Sequence, residues 1–223
     1  MKLYRFRTSA YARKVQVLLE LLGLPHDVID VPYSDRSELA RLTGGYIYVP
    51  VLVDAAGRVT VESRRIAALL LEGDAGGSLV PAPLEGPIWA YADFCDGPLE
   101  DVLFKIGSPL VRERWTDPGD RALYTLIKER KFGAGCVDAW QASRSVLLEK
   151  ARELLAPSAR TLGQVPFLFG ARPTLADAAL YGNLVALEEV ERSLPRQIDA
   201  AFEPYMRRVE AARPRARSAP GRA

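Results

Sequence analysis

The chain is poor in the residues that build metal sites, charge relays and disulfide frameworks. It has 223 residues and one histidine, His26. A single histidine after Pro25 cannot supply a Ser-His-Asp relay or a histidine metal site. Its two cysteines, Cys95 and Cys136, lie far apart and form neither a disulfide framework nor a metal-ligand spacing, which points to a reducing cytoplasm. No apolar run approaches the ~20 residues of a membrane span. The opening Met-Lys-Leu-Tyr-Arg-Phe-Arg has no apolar signal region, so secretion is not expected. Gly44-Gly45 lacks the lysine and the following helix of a phosphate loop. There are no internal repeats.

What is present is ordinary in amount and uneven in place. A hydrophobic share of 48% suffices for a real core. The net charge is +2, yet residues 207–223 hold six arginines and one glutamate, so the remainder is mildly acidic. Such an end could touch nucleic acid or acidic lipid. A disordered, solvated basic tail over 213–223 is the preferred reading, with no nucleic-acid partner.

Periodicity predicts two parts. Residues 1–6 read as a strand. Val15, Leu18, Leu19 and Leu22 then form one helical face, which Gly23 and Pro25 close. Val28, Ile29 and Val31 make a second strand, and 37–42 a helical turn. Val51-Leu52-Val53 and Val59-Thr60-Val61 flank the turn Asp54-Ala55-Ala56-Gly57. A helix follows from Ser63, its expected N-cap, to about Glu72. The order βαβαββα is a thioredoxin-like α/β pattern over about 1–75. A linker at 76–85 leads to an all-α helical bundle over 86–212. There Thr174-Leu175-Ala176-Asp177 has the form of a capping box.

The segment 43–63 says most about function. Pro50 stands at the mouth of a strand, where a missing N–H is tolerated. A cis Val49-Pro50 bond would leave the N–H and C=O of Val49 free to pair with an extended peptide. Glu62 and Ser63 follow at a helix start. An acid beside helix N–H groups suits the amino and carboxylate ends of a small peptide.

This segment resembles the glutathione-binding part of the glutathione S-transferase superfamily. Residues 2–19 resemble its first strand, active-site loop and first helix. Residues 167–187 resemble the start of its buried C-terminal-domain helix. The resemblance covers the chain to about Ala212. It implies glutathione as co-substrate, no metal, a homodimer and no membrane. It further implies activation of the glutathione thiol for attack on a small apolar electrophile. By the same resemblance Ser9 donates a hydrogen bond to the sulfur, with Thr8 as the alternative donor. Glu62 and Ser63 take the γ-glutamyl end, and Val49, before Pro50, pairs with the cysteinyl part. Thr8-Ser9 also lies where a helix N-terminus favours thiolate, although either residue could simply cap the helix. Ala10 departs from the proline common at that place. Tyr4 and Tyr11 are further hydroxyls, read as packing groups. No cysteine stands near residue 9, so disulfide exchange is not expected.

Other expectations are less specific. Arg5, Arg7, Arg13 and Lys14 either recognise a carboxylate or form a solvated basic face. Trp89, Trp115, Trp140, Tyr91 and Phe94 either line a co-substrate pocket or fill the core. Asp177 is assigned to stability. Alternatives to a transferase are another glutathione-dependent enzyme, such as an isomerase or dehalogenase, and a non-catalytic interaction protein with the same fold.

Overall fold

A computed structural model describes residues 1–72 and 77–213. The N-terminal part is a four-stranded mixed sheet with helices on both faces. In chain order come β1 (Lys2–Arg5), α1 (Ala10–Leu21), β2 (Asp27–Asp30), α2 (Ser37–Thr43), β3 (Val51–Val53), β4 (Val59–Val61) and α3 (Ser63–Leu70). The sheet order is β2-β1-β3-β4. Only the β1–β2 pair is parallel. Strand residues alternate between faces. Leu3 and Leu52 therefore meet Val15, Leu19 and Ile66 from α1 and α3, while Tyr4 and Val51 meet Leu39 from α2. The expected βαβαββα order is the observed one.

The C-terminal part is all helix: α4 (Glu85–Phe94), α5 (Glu100–Arg114), α6 (Pro118–Phe132), α7 (Cys136–Ala142), α8 (Arg144–Leu162), α9 (Leu175–Val190), α10 (Leu194–Ile198) and α11 (Phe202–Ala212). A π-helical turn at Cys95–Leu99, with Pro98 inside it, joins α4 to α5. The last two helices are separate because Asp199 is extended between α10 and α11. The expected linker contains a 3-10 turn at Ala82–Leu84, and the helices start at Glu85. The end of the expected first domain, 73–75, the first linker residue, 76, and the tail beyond Arg213 lie outside the described residues. Arg213 itself pairs with Glu20 at 2.7 Å.

The two parts meet through α9. Thirteen of its residues are buried, on every side of the helix, as befits an element wrapped by neighbours. Its capping box is present, and Asp177 has no exposed surface. The Asp177 carboxylate accepts from the N–H groups of Leu168 at 3.0 Å and Thr174 at 2.8 Å. Burial pushes its carboxyl up, and these bonds oppose that. α1 crosses α9 at Gly182 with almost no clearance: a Cβ there would stand 2.7 Å from the Lys14 nitrogen.

Candidate active site

One row of strand pairing explains how distant motifs come together. Ile29, Tyr4, Val51 and Val61 are successive partners across the sheet. The chain leaves β1 just after this row, enters β3 just before it, and leaves β4 just after it. Thr8-Ser9, Val49-Pro50 and Glu62-Ser63 therefore emerge at one end of the sheet. The loop after β2, which carries Tyr33 and Arg36, emerges there too.

At the first of these loops Ser9 caps α1, its Oγ accepting from the Ala12 N–H at 3.3 Å. A hydroxyl has one donor and two acceptor sites, so this leaves the Ser9 O–H free to donate. No acidic residue stands in the first turn of α1 to offset the helix dipole. Thr8 is exposed and lines a cleft open to solvent. Glu100, Phe104 and Ser108 of α5, Tyr124 of α6 and Asn183 of α9 form the other walls. Ser108 and Tyr124 share a hydroxyl–hydroxyl hydrogen bond of 2.6 Å. Burial pushes the Glu100 carboxyl up, with the Tyr11 hydroxyl pulling the other way.

At the second loop the Val49-Pro50 bond is cis. Among the described residues neither the N–H nor the C=O of Val49 has a backbone partner. Pro50 is buried beneath it.

At the third, Ser63 is the first residue of α3 rather than its cap. The cap is Glu62, at φ 69 and ψ 115. Among the described residues it is the one non-glycine with positive φ. Such a conformation costs about 1–3 kcal/mol and concentrates at functional sites. It turns the Glu62 carboxylate sideways, where it accepts from the Tyr46 hydroxyl at 2.9 Å, so that it does not close over its own helix. Ser63 is buried at the helix start.

Several expected site groups are occupied elsewhere. Arg5 pairs with Asp30, Arg7 and Arg13 with Glu189 of α9, and Lys14 with Asp96 of the π-helical turn. Arg7, Arg13 and Lys14 tie the loop and α1 to the helical part, and Arg5 ties β1 to β2. Arg64 pairs with Asp93 and stacks on Trp89. Tyr4 donates to Glu38 at 3.0 Å and Tyr11 to the Asp96 carbonyl at 2.9 Å. Cys95 and Cys136 are buried. None of the five aromatics weighed as pocket walls lines the cleft. Trp140 packs on Phe104 and Phe132, and Tyr91 on Phe94 and Phe169.

The cleft walls on α5 and α6 were not anticipated. Their signal is a helical stripe of mixed character: Glu100, Phe104, Ser108 at steps of four, and Tyr124, Lys128, Phe132 likewise. A lysine inside an aromatic stripe is the anomaly that marks it.

Among the described residues no cluster of histidine, cysteine, aspartate or glutamate could hold a metal ion, and no helix is long and apolar enough to cross a membrane.

Comparison with known proteins bears on the fold and the family. Residues 3–78 match the family "Glutathione S-transferase, N-terminal domain", and residues 134–217 match "Glutathione S-transferase, C-terminal domain". The chain belongs to the glutathione S-transferase superfamily. Its fold is similar to that of CsGST63524, a glutathione S-transferase of Ceriporiopsis subvermispora solved in complex with glutathione. That pair has 16% identity and a TM-score of 0.76, covering 98% of each chain. A glutathione S-transferase of Pseudomonas fluorescens gives 20% identity and a TM-score of 0.64, covering 97% of this chain and 98% of its own. Glutaredoxin 2 of Salmonella typhimurium, in complex with glutathione, gives 18% and 0.63, covering 92% and 97%. At these identities the likeness speaks for the fold. No curated protein matches the chain in sequence.

Proposed function

We propose that this protein binds glutathione at the shared end of the sheet and activates its thiol for attack on a small, largely apolar electrophile. The observation that carries this reading is the convergence of three loops on one strand-pairing row, with the groups a γ-linked tripeptide needs in the right order. Glu62 takes the γ-glutamyl ammonium in a charge-assisted bond, and Ser63 with the N–H groups of α3 takes its carboxylate. The unpaired N–H and C=O of Val49 bond the cysteinyl backbone as one more strand would, with Pro50 fixing the approach.

The sulfur then lies toward the start of α1. Thiolate is favoured there by the helix dipole and by hydroxyl donors from Ser9 and Thr8. The roles need donors, and neither hydroxyl has to act as a base. Thr8 also lines the cleft, so the thiolate and an electrophile held by Phe104 and Tyr124 face each other. Proximity and thiolate stabilisation supply the rate. Family membership implies a cytoplasmic homodimer with a detoxifying role, and we extend the proposal that far.

The test is calorimetric titration with reduced glutathione of the wild-type chain and of Glu62→Ala. Binding that weakens at least about tenfold in the variant supports the site, one charge-assisted bond being worth roughly 1.5–3 kcal/mol. Absence of binding in the wild type overturns it. Binding without turnover of any electrophile supports the interaction-protein alternative.

A further inference from the structure

The wall of the cleft is backed by a cation with no carboxylate within ion-pair distance among the described residues. The Lys128 ammonium stands 4.6 Å from the ring centroid of Tyr124, 4.9 Å from that of Phe104 and 5.7 Å from that of Tyr33. Its hydrogen-bond partner is the Tyr33 hydroxyl, at 3.4 Å. Lys14 and Lys105 each meet a carboxylate, but Lys128 has none within ion-pair distance among the described residues. A second cation faces the same ring. The Arg36 guanidinium lies 4.7 Å from the Tyr33 centroid and 4.9 Å from that of Phe6. It donates to the backbone carbonyls of Tyr33 at 3.0 Å and Ile47 at 3.3 Å, and it too has no acid partner among the described residues.

Ring faces attract an ammonium, but they do not replace the water it has lost. Burial accordingly draws the Lys128 pKa down to about 8, with Arg36 and Lys131 pushing the same way and Glu100 opposing. A partly buried, unpaired cation among aromatic walls has the form of a receptor for a flat anion. Phe104 and Tyr124, the rings it touches, are themselves walls of the cleft that begins at Thr8.

We propose that Lys128 receives an anionic group, a carboxylate or a sulfonate, carried by an aromatic second substrate in this cleft. This rests on the transferase reading of the cleft and narrows it from an apolar electrophile to an aromatic one bearing an acid. The same chemistry could come from the glycyl carboxylate of glutathione, so the experiment has two arms.

In the first, the full chain is titrated near neutral pH with anilinonaphthalene sulfonate and with phenylnaphthylamine, its neutral counterpart, by fluorescence. The wild type should hold the sulfonate at least about tenfold more tightly. Lys128→Met should erase that preference while the neutral amine binds within about twofold of wild type, and Lys128→Arg should keep it. Equal affinities in the wild type, a preference surviving in Lys128→Met, or joint loss of both probes would each overturn the proposal. In the second arm, glutathione and its glycyl ethyl ester are titrated into wild type and Lys128→Met. Unchanged affinities in the variant support the second-substrate site. Selective weakening of the free acid would hand Lys128 to glutathione and overturn it. Failure of the wild type to bind glutathione strikes the transferase reading and shows in this arm alone; the naphthalene pair still reports whether Lys128 selects anions.

Discussion

Two surfaces of the helical part face the sheet part, and they are built on opposite rules. On the α9 side every charge that crosses is paired: Lys14 with Asp96, and Arg7 and Arg13 with Glu189. Backbones touch there, with no room for a methyl group at Gly182. On the α5–α6 side Lys128 and Arg36 have no carboxylate partner within ion-pair distance among the described residues, the walls are aromatic, and a cleft is left open. The first surface fixes where the start of α1 lies. The second leaves interactions for something else to complete. A binding site gains from both, because a ligand is recognised only by groups held still before it arrives.

The largest effects should come from breaking the sealed side. Asp96→Ala leaves the buried Lys14 ammonium without a counter-ion, and loss of one partner of a buried pair costs about 3–5 kcal/mol. Denaturant unfolding should show it, and the double variant Lys14→Met with Asp96→Leu should recover most of the loss. No recovery would mean that the π-helical turn, rather than the pair, holds the seam. Next in size is Gly182→Ala. Its added carbon meets backbone atoms of Lys14 and Ala10, which cannot swing away as a side chain would. A loss of about 1–3 kcal/mol is expected, visible as a thermal midpoint lowered by roughly 2–12 °C for a chain this long. A neutral result would show that the two helices can slide, and the seam would not be sealed.

On the open side effects should fall on chemistry wherever the cap of α1 is kept. Ser9→Ala removes a helix cap and a donor together, so both stability and rate drop. Ser9→Asn and Thr8→Val separate the two. Asparagine keeps the cap but moves the donor, and valine at exposed Thr8 removes a hydroxyl that caps nothing. If Ser9 carries the thiol, Ser9→Asn should lose about ten- to a hundredfold in kcat/KM at near wild-type stability, as expected for roughly 1.4–2.7 kcal/mol of transition-state stabilisation. If Thr8 carries it, Thr8→Val should show that loss. Stopped-flow absorbance of bound thiolate against pH would report the same assignment directly.

The sequence was legible wherever one short stretch determines the outcome. Val49-Pro50, the hairpin to Val61 and the capping box at Thr174 each depend on neighbours within a few residues, and each is found as expected. Ser63 was misassigned as a cap because cap preference scales favour serine over glutamate. The backbone instead puts Glu62 at positive φ, a strained choice that no propensity anticipates. The basic run from Arg5 to Lys14 was ambiguous for another reason. Its partners Asp96 and Glu189 lie 82 and 176 residues away from Lys14 and Arg13, and nothing local announces them. The cleft was illegible on the same ground. Its walls come from α5, α6 and α9, and only the crossing of α1 with α9 decides which faces of those helices meet Thr8.

The smallest effect separates the two surfaces most sharply. If Lys128 is unpaired for the sake of a ligand, the empty protein bears that cation at a loss. Lys128→Met should then leave the thermal midpoint unchanged or raise it slightly, the reverse of what removing Lys14 does. The pH dependence has a defined sign. A lysine ordinarily titrates near 10.5, and burial brings Lys128 to about 8. Between those values the unfolded chain holds more protons than the folded one, so this lysine makes stability rise as pH rises from about 8 toward 10.5. Lys128→Met should flatten that part of the curve. Anion preference runs the other way, strongest below about pH 8 and fading above it, because the ammonium is then lost. Arg36, Lys131, Glu100 and Cys136 face Lys128 as well, and burial pushes the Tyr33 and Tyr124 hydroxyls and the Cys136 thiol up. A wild-type preference flat from pH 6 to 10 would show the cation to be structural, and the contrast between the two surfaces would lose its functional meaning.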